Sequence, residues 1–432
     1  MWKRSWFRWT VRCVALLLLT LLAVALYYRS RGADELAEAR KEFEAKVGPL
    51  EPMAYKPRPV PEEENGAVWL LAGAQAVVTF QEDRATLGLL ADTPSSEWTK
   101  DQVDRFKLIA ERNAPALVLL RRTSVMKRCD LEALRGDDGR QNLALVTSAR
   151  LLAADARDAL QQGDADRFSS DARTLSDLAL AMEREPETLK LLLGSYAERL
   201  LLPVLHEASV SPALDEAAIS KLDTLIPSAN LMDAWRRAMG KEAADLETRM
   251  GAAAEGEDSS GRPSLRFRLT SWVTSDLDHA RYLRLWVETV SWAREPYALR
   301  SPALPHRLGV LPWAGIGSIQ ASSFGSPAGR MQATLALRQM TTLGLEVRRA
   351  GLERGAYPAD LSLFSGVKTP DPFTGKPVVY TLRQDGSAIL AVPDADPLYK
   401  KLTEGKRAAI GFTWTLPPIT AEKPSSSSHP AK

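Results

Sequence analysis

Between Arg12 and Arg29 runs an uncharged block, residues 13–28, built almost entirely of Leu, Ala and Val. A helix of such residues has no polar face to offer water, so it must be buried in protein or in lipid. Crossing the hydrocarbon takes about 20 residues at about 1.5 Å each, so the block needs its flanks. Arg12 can reach back to the headgroups along the helix, and Trp6, Trp9, Tyr27 and Tyr28 suit the two interfaces. Lys3, Arg4, Arg8 and Arg12 precede the block, Arg29 and Arg31 follow it, and Asp34 and Glu35 come soon after. By the positive-inside rule, residues 1–12 are a basic cytoplasmic tail and 13–28 a transmembrane signal anchor. The expected location is the cell inner membrane, single-pass, with the bulk of the chain periplasmic or extracellular. A cleavable signal peptide is the alternative, because Ala23-Val24-Ala25 has the small-x-small pattern of a cleavage site. Both readings export the rest of the chain.

The charge balance belongs to the same segment. The formal net charge is +2, but removing the six N-terminal cations from the 56 Lys and Arg leaves 50 against 54 Asp and Glu. The exported body is therefore slightly acidic and lacks the basic footprint of a nucleic-acid-binding protein. At 432 residues, 45% hydrophobic and 25% charged, the chain suits about two or three globular units rather than a polytopic or wholly disordered class. Cys13 and Cys129 supply no disulfide framework, and His206, His279, His306 and His429 are too scattered for a histidine metal cluster.

The expected fold class is mainly α. Residues 29–61 form a stalk, with a short helix over 33–47, and then a stiff linker set by prolines 49, 52, 57, 59 and 61. Residues 62–254 form a helical domain, an antiparallel bundle or short solenoid, beginning with a helical run over 67–80. Two apolar seams carry the period: Leu145, Ala149, Leu152, Ala156, Ala159, and then Phe168, Ala172, Leu175, Ala179, Met182. Gly163 suits the end of the first helix and Asp164 the cap of the second, so the two fold back as a hairpin, with a third helix over 187–205 after Pro186. Residues 255–264 read as a flexible break, and 265–325 as a helical and then Pro-rich segment. In its helical part Trp272, Trp286 and Trp292 alternate with Arg266, Arg268, Arg281 and Arg284. That pattern suits either core tryptophans beside a solvated basic side or a lipid-headgroup or partner face.

Ser326-Pro327 is a helix-start pair, and Ala333, Ala336, Met340, Leu343, Val347 and Ala350 step along one face to a stop at Gly355 and Pro358. Beyond it the period becomes two: strands over 378–382 and 387–392 flank Asp385-Gly386, with a third over 411–416. Residues 326–418 should thus form a small α+β module, a helix on a three-stranded antiparallel sheet, and 419–432 a disordered tail. The order helix, Gly355-x-Tyr357-Pro358-x-x-Leu361, Asp371-Pro372-Phe373-x-Gly375-x-Pro377-x-x-Tyr380, hairpin resembles the C-terminal part of the major pseudopilin of type II secretion systems. With Pro61-Glu62-Glu63-Glu64-Asn65, the chain is similar to uncharacterised bacterial single-pass exported proteins that carry such a pilin-like ending. The resemblance implies export and architecture, and it covers about ninety residues. The Gly-Phe-Thr-Leu-x-Glu prepilin signature is absent. Where pseudopilins have a calcium-associated loop, this chain has Pro393-Asp394-Ala395-Asp396-Pro397, so Asp394 and Asp396 are the candidate metal ligands, with turn capping as their other role.

No nucleophile elbow, zinc-binding His pair, phosphate loop, dinucleotide fingerprint or Cys-x-x-Cys pair occurs in the sequence. Asp276, Asp278 and His279 are the acid–histidine cluster, with Asp276 and His279 on one helical face, expected as an exposed ion pair, with a catalytic dyad as the alternative. Arg135-Gly136-Asp137 reads as loop. These features lead to an expectation of no catalytic residues and no cofactor. The expected function is a membrane-anchored extracytoplasmic scaffold or protein-interaction protein with a protein partner and no nucleic acid. The alternatives are an accessory component of a secretion or pilus-like apparatus, and an envelope hydrolase with an unfamiliar site.

Overall fold

A computed structural model describes residues 2–56, 60–126, 129–131, 138–212, 214–254, 265–300, 325–364, 370–403 and 411–419. The expected break over 255–264, the Arg135-Gly136-Asp137 loop, His306, His429 and the tail over 420–432 lie outside them. Among the described residues the chain is mainly helical, with one three-stranded antiparallel sheet. It divides into two compact units. The first comprises Met1–Lys56, Arg236–Trp292 and Ser301–Gly325; the second comprises Pro57–Trp235, Ala293–Arg300 and Ser326–Lys432.

The first unit is organised on α1, Trp2–Lys46, a single helix of 45 residues and about 68 Å. The sequence suggests an anchor followed by a separate stalk helix. The two are continuous because nothing between Tyr28 and Ala33 breaks a helix, and Arg31 bonds Glu35 one turn on, at 3.0 Å. Beyond the apolar block α1 changes character. Leu36, Ala39, Phe43 and Val47 are buried at spacings of three and four. They lie in a bundle with α10 (Leu231–Ala254, from Arg236 onward in this unit) and α11 (Leu265–Arg294, up to Trp292). Helix α10 contributes Ala238, Met239, Ala243 and Ala244, and α11 contributes Ala280, Leu283, Val287 and Val290. Arg236 donates to the Val47 carbonyl at 3.0 Å, while Arg40 meets Glu247 at 2.6 Å, so α10 runs antiparallel to α1. The stretch after α1 is not an extended linker as far as Lys56. Tyr55 folds back, donating to the Pro49 carbonyl at 2.7 Å, and its ring lies against Gly240, where a Cβ would clash with it.

In the second unit, α2 (Ala67–Ala76), α3 (Gln81–Asp92), α4 (Lys100–Arg112) and α5 (Ala114–Arg121) lead into three long helices. These are α6 (Asp138–Gln162), α7 (Ala165–Arg184) and α8 (Thr188–Val210), which pack on one another in all three pairings. Both apolar seams read from the sequence are buried along their whole length. Gly163 is left-handed with φ 74°, and Asp164 accepts the Arg167 amide at 3.0 Å, which makes the α6–α7 hairpin. Helix α2 ends at Ala76, four residues before the expected end at Phe80. There the Asn113 side chain accepts from the Val78 amide at 2.7 Å and donates to its carbonyl at 3.1 Å, holding 77–80 extended.

The short α9 (Glu216–Ile219) follows α8, and α12 (Gly325–Arg354) carries the last long apolar face, stopping at left-handed Gly355. The sheet runs β1 (Val379–Leu382), β2 (Ala388–Ala391), β3 (Thr413–Leu416), in the order β1-β2-β3. Tyr380 faces Leu390 and Leu390 faces Trp414 across the two antiparallel ladders. Gly386 turns the hairpin with φ 81°. Trp414 lies on Gly344 of α12, which has no side chain to hold the ring away. A further helix, α13 (Ala395–Leu402), was not anticipated from the sequence.

Candidate functional site

The described part of α1 before Gly32 is the most unusual surface of the protein. It is the one described helix long and apolar enough to cross a membrane, with a mean hydropathy of 2.2 over its most apolar window. None of that window is buried by protein. Leu16–Leu19 are all well over half exposed, as are Trp6, Phe7 and Trp9. Water would oppose such exposure by about 1.5–3 kcal/mol for each large side chain, so the surface calls for an apolar environment.

The acid–histidine cluster is arranged differently from the sequence expectation. His279 meets Glu247 of α10 instead of Asp276, and Arg40 of α1 holds the same carboxylate. Asp276 instead stands beside Gly32. Burial acts to raise the Glu247 carboxyl, but the hydrogen bond and charge of His279, with those of Arg40, hold it below the usual range. One carboxylate is thus shared by three helices, which suits a structural tie.

The second unit contains two buried charge clusters for which helical spacing gave no sign. In the first, Arg121 of α5 holds Asp171 of α7 at 2.7 Å and also meets Asp155 of α6, while Arg167 meets Asp158. Burial raises the Asp171 carboxyl well above the aspartate range; Arg121 opposes this and the neighbouring Asp155 adds to it. In the second, Arg338 of α12 grips Glu198 of α8 with two bonds of 2.5 and 2.6 Å and approaches Glu183 of α7 at 3.5 Å. Both carboxylates are fully buried. Burial, with the charge of Glu198, raises Glu183 well above the usual glutamate range, and the charge of Arg338 opposes this. Ser195, Arg199 and Thr334 continue the same seam, with bonds of 2.7 to 2.9 Å. These groups join helices in the core and face one another.

The motif residues of the C-terminal module make turns. Asp371 accepts the amides of Phe373 and Thr374 and the Thr374 hydroxyl, and Gly375 is left-handed at φ 73°. Asp394 is itself left-handed, φ 62°, ahead of α13, and its exposed carboxylate pairs with Lys376. Asp396 accepts the Phe412 amide at 3.4 Å. The structure therefore brings the two metal candidates to the start of one helix but gives each a protein partner. Among the described residues no group of three or more His, Cys, Asp or Glu is arranged to hold a metal ion. His206 stacks on Trp414 at 4.3 Å and contacts the Thr415 carbonyl, and burial lowers its pKa. A cleft of about 360 Å³ is lined by Glu216, Ser220, Leu352 and Glu353, together with Arg349, which pairs with Asp223 at 3.4 Å.

Compared with family models, with curated proteins and with solved structures, the chain matches none.

Proposed function

We propose that this chain is a membrane-anchored extracytoplasmic scaffold or protein-interaction protein. The observation that carries the reading is α1, in which a bare apolar segment continues without a break into a helix packed in the first unit. The basic residues at its N-terminal end orient it with the tail in the cytoplasm and the folded units periplasmic or extracellular. The described titratable clusters support a scaffold, because their charges are consumed in helix-to-helix ties. A second reading, an accessory component of a secretion or pilus-like apparatus, rests on the helix followed by a three-stranded meander and on the turn motif around Asp371.

The experiment is protease digestion of a C-terminally tagged chain in intact cells and spheroplasts, followed by capture of partners by the exported part. Digestion from outside only, with a full-length N-terminus, is the expected outcome. Protection in spheroplasts would overturn the topology. Recovery of no protein partner across repeated captures would remove the scaffold reading, and co-localisation with a secretion ATPase would favour the second one.

A further inference from the structure

We infer that Glu183 is the trigger of a pH-sensitive latch between α12 and the α7–α8 pair: when its carboxyl ionises, α12 loosens from those two helices while α6 and α7 stay packed. The inference lies within the second unit and does not depend on the anchor reading of α1.

Three groups form the latch. Glu183 of α7 and Glu198 of α8 are both fully buried, and the guanidinium they share, Arg338 of α12, is committed unequally. It grips Glu198 with bonds of 2.5 and 2.6 Å, donates to the Ala229 carbonyl as well, and stands 3.5 Å from Glu183. Neither Glu183 oxygen takes a hydrogen bond from a donor among the described residues. One guanidinium cannot neutralise two carboxylates away from water. The packing therefore suits an un-ionised Glu183, which can donate its own proton toward Glu198. The balance of forces agrees: burial and the Glu198 charge raise the Glu183 carboxyl, and Arg338 opposes them.

The other charged groups on the surrounding elements are engaged elsewhere. Arg199, next to Glu198 on α8, turns to the Ser195 and Thr334 hydroxyls and the Arg330 carbonyl. Lys190 of α8 donates to Asn142 of α6 at 2.8 Å, and Asp223 pairs with Arg349 of α12 at 3.4 Å. On α7 itself Arg184 acts on Asp177, and Arg121 of α5 meets α7 at Asp171, about three turns from Glu183. The charges that act on Glu183 are those of Glu198 and Arg338.

Packing decides which helix yields. Between α7 and α8 there is no slack, because a Cβ on Gly194 would come within 2.8 Å of both the Glu183 Cγ and the Ala179 carbonyl. The joint to α12 is different. At its centre Ser195 and Thr334 bond at 2.7 Å, and small buried residues stand beside them in the chain, Gly194 and Ala197 on α8 and Ala333 and Ala336 on α12. Small side chains bury little apolar area, so the bonds of Arg338 carry more of this joint. A second carboxylate charge competes for that guanidinium and favours entry of water beside it. Helix α12 holds the guanidinium, and it is the element that gives way.

The test is amide hydrogen exchange on the full-length chain in lipid nanodiscs, from about pH 5 to about pH 9, with protection corrected for the intrinsic exchange rate at each pH. Opening that releases the Glu183 proton makes the protection of α12 amides around Arg338 fall about tenfold per pH unit, over the range in which the closed state keeps that proton. In the wild type these amides should show this slope and stay less protected than those of α6. Glu183→Gln keeps the shape of the un-ionised carboxyl and should make α12 protection independent of pH. Glu198→Gln leaves Arg338 to Glu183 and should reduce the slope. An α12 slope unchanged by Glu183→Gln overturns the inference. So does wild-type protection in α12 that is flat with pH, or equal to that of α6 throughout, and this result stands even if the variants fail to fold.

Discussion

The two units solve the same problem, holding long helices together, with different chemistry. In the first unit the ties are half-exposed: Arg284 with Glu35 and Glu38, and Arg40 with Glu247, around a narrow apolar seam on α1. In the second unit two clusters of ties have buried carboxylates: Arg338 with Glu198 and Glu183, and Arg121 with Asp171. Buried pairs add little net stability against a well-packed apolar alternative, yet breaking one strands a charge away from water. The first unit should therefore depend on its apolar seam and tolerate loss of charges, and the second should be sensitive to single charge deletions.

The sharpest way to break this contrast is Arg338→Leu, which leaves Glu198 and Glu183 buried beside each other. It should cost about 4 kcal/mol, read as a fall in the denaturant midpoint of the second unit, with much of the loss recovered on adding Glu198→Leu. In the first unit Phe43→Ala removes a fully buried ring and should cost about 3 kcal/mol. Faster amide exchange in α10 and α11, with that in α6–α8 unchanged, would show that the units respond separately. Gly344→Ala puts a methyl group into the Trp414 ring and should cost about 2 kcal/mol, with a change in Trp414 emission.

The buried carboxyls of the second unit and the shared Glu247 of the first should depend on pH with opposite signs. Burial raises the Glu183 and Asp171 carboxyls and pushes Asp177 up to about 6. The folded state then keeps protons that the unfolded chain releases. That stability is complete below the ordinary carboxylate range and is lost as pH rises through the raised values. The denaturant midpoint of the second unit should therefore fall from about pH 5 upward, and Glu183→Gln should flatten the slope. Glu247 in the first unit is lowered, so its contribution is present above the ordinary glutamate value and is lost as pH falls through the lowered one. The smallest effect belongs to Arg284→Ala, about 0.5 kcal/mol or less, because its partners are partly solvated. A loss as large as that for Arg338→Leu would erase the contrast between the units.

Much of this architecture is legible in residue order. The α6 and α7 seams, the Gly163 and Asp164 corner, the long α12 and the hairpin at Asp385-Gly386 all follow from period and turn chemistry, which are local. The buried clusters were not legible, for a physical reason. Glu183 and Asp171 each stand one position from an apolar seam, where a charged residue on a helix is ordinarily solvated. Only partners distant in sequence, Arg338 and Arg121, make their burial tolerable. The expected pairing of His279 with Asp276 failed for a related reason: spacing along one helix says which residues share a face, and the opposite helix supplied Glu247.

By itself, then, the sequence determined the apolar block with its basic flank, the helical periods and the strand alternation, because each is a property of neighbours along the chain. Tertiary structure decided that the apolar block and the charged segment after it are one helix whose later part packs in a bundle, and which carboxyls burial raises. Those outcomes depend on register between helices far apart in sequence, and no local pattern encodes that register.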